Sequence, residues 1–173
     1  MLNFLLKGER MPIAMRTITI LVFISAVLAA QSNTGNMSSS EQQQALEKSV
    51  LKTFQQMNEA EINLDADKFF SYILDFDKGL IIQDGRLFKT RQEAYEAVKQ
   101  GFEGISQLKR TYEQTYITII SPETVLLTAR GTSTVTLLDG RVLSGPFAAS
   151  IIYVLRDGQW KVLHGHYSIP NPR

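Results

Sequence analysis

The two histidines of the chain, His164 and His166, are two residues apart near its C-terminal end. Imidazoles titrate near neutral pH, so such a pair could move a proton to or from a bound molecule. The segment around them predicts a β-strand, in which alternation places Trp160, Val162, His164, His166 and Ser168 on one face. We therefore take His166 as a candidate catalytic residue, and Trp160, His164 and Ser168 as candidate ligand-binding residues.

A proton relay through these histidines needs a partner that sets the imidazole tautomer. Tyr112, Tyr116 or Ser168 could supply it. The alternative is that each histidine makes a structural hydrogen bond and has no chemical role. Tyr112 also belongs to the aromatic residues that are expected mostly in the core, some of which line an apolar pocket. It is the fourth candidate ligand-binding residue.

The sequence gives little indication of a metal site, a catalytic nucleophile or a phosphate-binding loop. Two histidines at positions i and i+2 can share a zinc ion, but catalytic zinc takes three protein ligands, and the sequence has no third histidine and no cysteine. The sequence has no Gly-x-Ser-x-Gly nucleophile elbow. Gly101 and Gly104 do not follow a predicted strand, so a phosphate-binding loop is not indicated. We expect neither a metal nor a cofactor.

Residues 1–30 have the features of a secretory signal peptide. Lys7, Arg10 and Arg16 outweigh Glu9, and the almost wholly apolar run that follows ends in small residues. The alternative, an uncleaved membrane anchor, needs about 20 apolar residues, and this run is shorter. We expect cleavage, which leaves no stable membrane anchor, and export to a bacterial periplasm or to the medium. Translation could start at the first methionine or at either of the two that follow it.

The composition narrows the range of partners. The whole chain carries 18 Lys and Arg against 17 Asp and Glu, and removing the leader changes its formal charge from +1 to −1. Such a chain has no basic field to attract phosphates, so we do not expect nucleic-acid binding. The absence of cysteine excludes disulfides and favours a bacterial exported protein. Residues 31–40 are small and polar and predict a disordered spacer.

Helices come first in the predicted domain. A capping box at residues 38–41 or 40–43 opens an amphipathic first helix, and the folded part is expected to begin near residue 41. Asp65 caps a short second helix that is predicted to run to about Leu74, and Thr90 opens a third. The apolar faces of these helices must pack against another layer of the fold.

Strands make up the rest of the chain. Asp84-Gly85 predicts a tight hairpin turn, and four longer strands follow it to the C-terminal end, joined in part by Asp-Gly turns at Asp139 and Asp157. We expect an α+β fold in which three N-terminal helices pack in the concave side of a strongly curved, mainly antiparallel sheet. This cone-like arrangement leaves a cavity between sheet and helices.

The opposite face of the last strand is predicted to carry Leu163, Tyr167 and Ile169. An apolar outer face indicates a partner, most simply a second copy of the chain. We therefore expect a homodimer that forms through the outer face of the sheet.

These features together resemble the SnoaL-like branch of the nuclear transport factor 2-like superfamily. The matching segments are the end of the first helix at residues 63–67, the turn at residues 84–86, and the closing strand with its Trp, His and Ser at residues 157–168. The resemblance covers residues 41 to 170, and the domain is expected to span residues 41–173.

The resemblance implies a dimer of cones with one pocket in each. Members range from ketosteroid isomerase and polyketide cyclases to dehydratases, and many have pockets with no known reaction. In the enzymes an aspartate or a histidine of the cone usually handles protons. By position Asp84 is similar to the isomerase-type base, and His166 lies on the strand that lines the cone. The alternative for Asp84 is that it simply makes its turn.

Two functions are consistent with the sequence. One is an exported module that binds a small, largely apolar molecule in the cone. The other is a cofactor-independent isomerase, cyclase or dehydratase, in which His166 transfers protons together with Asp84 or a tyrosine. The side chains that line the cone distinguish the two.

Overall fold

The computed structural model describes residues 38–75, 78 and 80–169. The predicted signal peptide and most of the predicted spacer lie outside these residues. The elements are, in chain order, α1 (Ser39–Ile62), α2 (Ala66–Phe70), β1 (Ile81–Gln83), β2 (Arg86–Phe88), α3 (Arg91–Glu103), β3 (Ile105–Ser121), β4 (Thr124–Leu137), β5 (Val142–Arg156) and β6 (Gln159–Ser168). The predicted α+β architecture is confirmed, with helices packed on a curved, mostly antiparallel sheet.

The first helix begins at a capping box. The backbone N–H of Glu41 donates to the Ser38 hydroxyl, and the Glu41 carboxylate accepts from the Ser38 N–H at 2.7 Å. This confirms the first of the two predicted boxes, and it places the last two residues of the predicted spacer inside the helix. None of the helices in the described ranges has the length and apolar character that crossing a membrane requires.

The second and third helices also begin at their predicted caps. Asp65 accepts from the Lys68 N–H at 2.8 Å, and Thr90 accepts from the Glu93 N–H at 3.1 Å. The second helix ends at Phe70, earlier than predicted. It stops because the chain after it pairs with β6: the Leu74 N–H donates to the carbonyl of Val162 at 2.9 Å.

The six strands form one sheet in the order β2-β1-β6-β5-β4-β3. Strands β3 to β6 are the predicted antiparallel meander. The hairpin of β1 and β2 extends the sheet beyond β6, and β1 runs parallel to β6. Asp84 and Gly85 have φ angles of 50° and 80°, which are the left-handed values that a tight type I′ turn requires.

The core lies between the helices and the concave face of the sheet. Trp160 is buried in it, and its indole N–H donates to the hydroxyl of Ser49 at 2.8 Å, which joins β6 to α1. The largest fully buried side chains come from both layers: Val50, Phe70, Leu80, Val125, Leu127, Ile151, Tyr153 and Val162.

A β-bulge in β6 changes which side chains face the core. Ile152 pairs with His164 and Tyr153 pairs with Val162, so Leu163 is an extra residue without a partner on β5. An extra residue shifts the alternation by one position. The side chains of Trp160 and Val162 are buried before the bulge. After the bulge, Gly165 is the buried position and the side chain of Tyr167 lines the interior cavity. The prediction of one shared face from Trp160 to Ser168 is therefore wrong.

The same bulge overturns the predicted composition of the outer face. Tyr167 and Ile169 line the interior cavity instead of facing outward, and Leu163 is the half-buried bulge residue. His166, Ser168 and their β5 neighbours Ser150 and Ala148 are exposed. The homodimer stays a prediction. Sedimentation equilibrium tests it, and a protein that remains monomeric at high concentration would contradict it.

Candidate functional site

A cavity of about 520 Å³ lies between α3 and the sheet. Most of its lining is apolar, and the inner face of α3 forms one wall opposite β-strand side chains. Six polar or charged residues also line it. The lining residues are Glu61, Phe69, Ile81, Gln83, Asp84, Arg86, Phe88, Ala94, Ala97, Val98, Gly101, Phe102, Ile105, Leu108, Arg110, Val135, Phe147, Tyr167 and Ile169.

A buried ion pair forms part of the cavity wall. The guanidinium of Arg110, on β3, donates to the carboxylate of Glu61, in the last turn of α1, at 2.5 Å. Their side chains are 13% and 17% exposed. The guanidinium also lies over the ring of Phe147, 5.0 Å from its centroid. Burial disfavours the charge of Arg110, but attraction to Glu61 and to nearby phenols outweighs it, so the pKa of Arg110 is raised.

Two buried polar atoms of this region have no hydrogen-bond partner among the described residues. They are Nε of Arg110, a donor, and Oδ1 of Asn58, an acceptor. Asn58 lines a second, much smaller cavity of about 10 Å³, which also touches Glu61, Tyr112 and Tyr167. That volume is about the size of one water molecule. A water molecule in this cavity can donate a hydrogen bond to Oδ1 of Asn58.

The phenol groups of Tyr112 and Tyr167 lie near the ion pair. Burial and the nearby carboxylate of Glu61 raise the pKa of Tyr112 and that of Tyr167 well above the ordinary value of a phenol. Both hydroxyls therefore stay protonated at neutral pH and can donate hydrogen bonds. The ring of Tyr112 is held edge-on between Phe54 and Phe147, at centroid distances of 4.8 and 5.4 Å.

Two of the residues predicted from sequence lie at the cavities. Asp84 lines the larger cavity at the β1–β2 turn, where its carboxylate also accepts from the Ile169 N–H at 3.0 Å. Tyr112 lines the smaller one. The turn-forming role of Asp84 is thus observed, and its catalytic role stays a prediction.

The other four predicted site residues line neither cavity. Trp160 is buried against α1 and touches neither cavity. His166 and Ser168 are exposed, and His164 is half-buried opposite Ile152 of β5. These three residues follow the bulge, which turns them away from the concave side. The structure does not bring His166 together with Asp84 or Tyr112 in a common cavity.

Glu61 and Arg110 were missed at the level of sequence, although a signal was present. Arg110 alternates with Leu108 and Tyr112 and so falls on the core-facing side of its strand. Glu61 lies four residues after the buried Met57, on the core-facing stripe of α1. A charge at a core position of a helix and another at a core position of a strand would have indicated a buried pair.

The chain matches a family model described as the SnoaL-like domain over residues 50–172. It belongs to the SnoaL-like domain family. The match covers most of the chain, including the cavity and the closing strand, and so confirms the resemblance found in the sequence. A search of curated proteins gives no significant match.

Solved structures show the same fold for this SnoaL-like domain. A nuclear transport factor 2-like superfamily protein of Salmonella enterica aligns with a TM-score of 0.66 and 11% identity, over 75% of this chain and 94% of that one. A protein of the NTF2-like family from Streptomyces avermitilis, provisionally named a dehydratase, aligns with a TM-score of 0.67 and 14% identity, over 75% and 99%. A protein of Novosphingobium aromaticivorans, provisionally named a scytalone dehydratase, gives 0.66 and 8%, over 76% and 89%.

In the described part of this SnoaL-like domain, no group of three or more His, Cys, Asp or Glu side chains is close enough to hold a metal ion.

Proposed function

We propose that this SnoaL-like domain binds a small, largely apolar molecule in the cavity between α3 and the sheet. The observation that carries the proposal is the cavity itself, whose volume of about 520 Å³ lies in the range of small-molecule sites. Its composition supports the same function, because an apolar wall with a few polar groups at defined positions both desolvates and orients a ligand.

The dye Nile red, which is uncharged and apolar, tests this proposal by its fluorescence in the purified protein. The wild type is expected to bind it, and Gly101→Phe is expected to weaken binding by at least about tenfold. Gly101 lines the cavity from α3, and a Cβ at this position would meet no atom within 4 Å. A phenyl ring there can therefore enter the cavity without displacing the backbone.

A matched control separates blocking of the cavity from a general effect on the helix. Gln100 is the neighbouring residue of α3, is exposed and does not line the cavity. Gln100→Phe should bind the dye as the wild type does. Equal binding by all three proteins would place the dye outside the cavity and contradict the proposal.

The alternative function is a cofactor-independent isomerase, cyclase or dehydratase. The fold is shared with two proteins provisionally named dehydratases, at identities that support the fold alone. Such an enzyme would have to use Asp84 or a tyrosine without His166, because the exposed His166 does not reach the cavity. Binding is the better-supported function, since it requires nothing beyond the cavity and its lining.

We also propose that the protein is exported, on the basis of the apolar leader in its sequence. N-terminal sequencing of the protein expressed in a Gram-negative host and recovered from the periplasm tests this directly. The mature chain is expected to begin at Ala30 or Gln31, because the apolar run ends in two alanines. Recovery of the protein from the cytoplasm with its leader intact would contradict the proposal.

A further inference from the structure

We infer that the free edge of β3 pairs with the same edge of a second copy of the chain. The part of the strand that would pair is called here the edge segment and consists of residues 115–121. The six strands of each copy would then join into one continuous sheet. This interface lies at the side of the sheet, whereas the homodimer expected from the sequence uses its outer face.

Strand β3 lies at one end of the sheet, where only one of its sides is paired. It contains 17 residues, and β4 is its neighbour. No strand of the described residues pairs with its other side. The opposite end of the sheet is β2, which has only three residues. An open edge presents backbone N–H and C=O groups to any strand that approaches, so β3 offers a long site for pairing and β2 does not.

The two halves of β3 differ in how well they are protected from such pairing. Edge strands avoid it through charged side chains, prolines and bulges. The first half carries Lys109 and Glu113, with a register irregularity between Tyr112 and Gln114. The edge segment has no charged residue and no proline, and five of its seven residues are β-branched. This composition is typical of a strand that is paired on both sides.

Two large apolar side chains of the edge segment are exposed to solvent. Tyr116 and Ile120 each have 60% of their surface exposed. Thr118 lies between them and is also exposed. A strand added to this edge would cover part of these side chains, because residues opposite each other on paired strands are in contact. Pairing would therefore bury apolar surface in addition to forming backbone hydrogen bonds.

The edge segment is complementary to itself. Antiparallel pairing about a two-fold axis at Thr118 places this residue opposite Thr118 of the partner subunit, and Tyr116 opposite Ile120 of the partner subunit. Thr–Thr pairs, and pairs of an aromatic with a β-branched residue, stabilise antiparallel strands. No like charges meet within the segment, because it carries none. The pairing ends at Pro122, which has no N–H to donate.

A second copy of the chain is the partner that this edge fits. The symmetry of the antiparallel pair matches the segment to itself without any further sequence requirement. The assembly also closes at two copies, because each chain has one long open edge and the other edge, β2, has only three residues. The expected product is therefore a dimer and not a fibre.

Sedimentation equilibrium of the purified protein at about 100 μM tests the pairing, since an interface of modest area is populated at such a concentration. The wild type is expected to be a dimer. Thr118→Lys places two ammonium groups opposite each other at the axis, so the dissociation constant should rise by at least about tenfold. Thr111→Lys is the matched control. Thr111 is also an exposed threonine of β3 but lies outside the edge segment, so this variant should dimerise as the wild type does.

Single cysteines identify the surface at the interface, because the natural chain has none. Opposite residues of antiparallel strands have Cα atoms about 4.5–5.5 Å apart, which is within the range that a disulfide spans. Thr118→Cys is therefore expected to form a covalent dimer on mild oxidation. Ser150→Cys should not, because this exposed position is on β5, which β4 separates from the edge.

Several results would overturn the inference. They are a wild type that stays monomeric at about 100 μM, dimerisation of Thr118→Lys equal to that of the wild type, or covalent dimers from Ser150→Cys and not from Thr118→Cys, which would assign the interface to the outer face. Assemblies larger than a dimer would contradict closure at two copies. If a lysine variant does not fold, the cysteine variants decide. None of these results bears on ligand binding, because the edge segment does not line the cavity.

Discussion

Replacing Arg110 by leucine should lower the free energy of unfolding by about 3 kcal/mol. The substitution leaves the carboxylate of Glu61, whose side chain is 17% exposed, without its counter-charge. It also removes the guanidinium from the ring of Phe147. Urea unfolding followed by circular dichroism measures the loss, because a shift of the midpoint at constant slope reports stability alone.

The double variant Arg110→Leu, Glu61→Leu is the matched control. Replacing both charges by apolar side chains removes the unpaired carboxylate, so most of the lost stability should return. A double-mutant cycle over the two sites then isolates the coupling between them. A loss below about 1 kcal/mol in the single variant would mean that the pair behaves as a hydrated surface pair, and would contradict the description of the site.

Replacing Gly131 by alanine should destabilise the protein at least as much as Arg110→Leu does. We expect the free energy of unfolding to fall by about 3 kcal/mol or more. Gly131 pairs with Tyr112 at the irregularity between β3 and β4, and a Cβ on it would lie 1.9 Å from the carbonyl oxygen of Thr111. That oxygen belongs to the backbone of the neighbouring strand, so relief requires the two strands to separate. Thermal unfolding measures the effect as a lower midpoint.

Replacing Gly101 by alanine should instead stabilise the protein. A Cβ at Gly101 meets nothing within 4 Å, and the residue lies inside α3 with no left-handed φ. Alanine there should raise the free energy of unfolding by up to about 1 kcal/mol, because glycine is the poorer helix former. Similar losses at both positions would show that the close approach of Thr111 is not the cause.

Local rules predicted most of the elements correctly. The Asp84-Gly85 turn and the caps at Ser38, Asp65 and Thr90 are found as expected. Each depends on the conformational preference or the hydrogen bonding of residues within about four positions along the chain, which a sequence displays directly. The second helix was predicted too long, since its end is set by pairing with β6.

The candidate site was harder to predict, because one residue decides which side chains enter it. Strict alternation along β6 placed His164, His166 and Ser168 in the cone, but the bulge at Leu163 turns all three away and brings Tyr167 inward. The bulge arises from how β6 pairs with β5. Gly165, an isolated glycine inside the strand pattern, is a signal of such an irregularity, but it does not show which residue of the strand is the extra one.

The sequence by itself determined the order of helices and strands, their caps and turns, and the family, because these follow from local preferences and from a pattern that spans the domain. The tertiary structure alone decided the content of the cavity. Glu61 and Arg110 are 49 positions apart and meet across two layers. Their pairing depends on strand register and on helix packing, which are properties of the assembled fold.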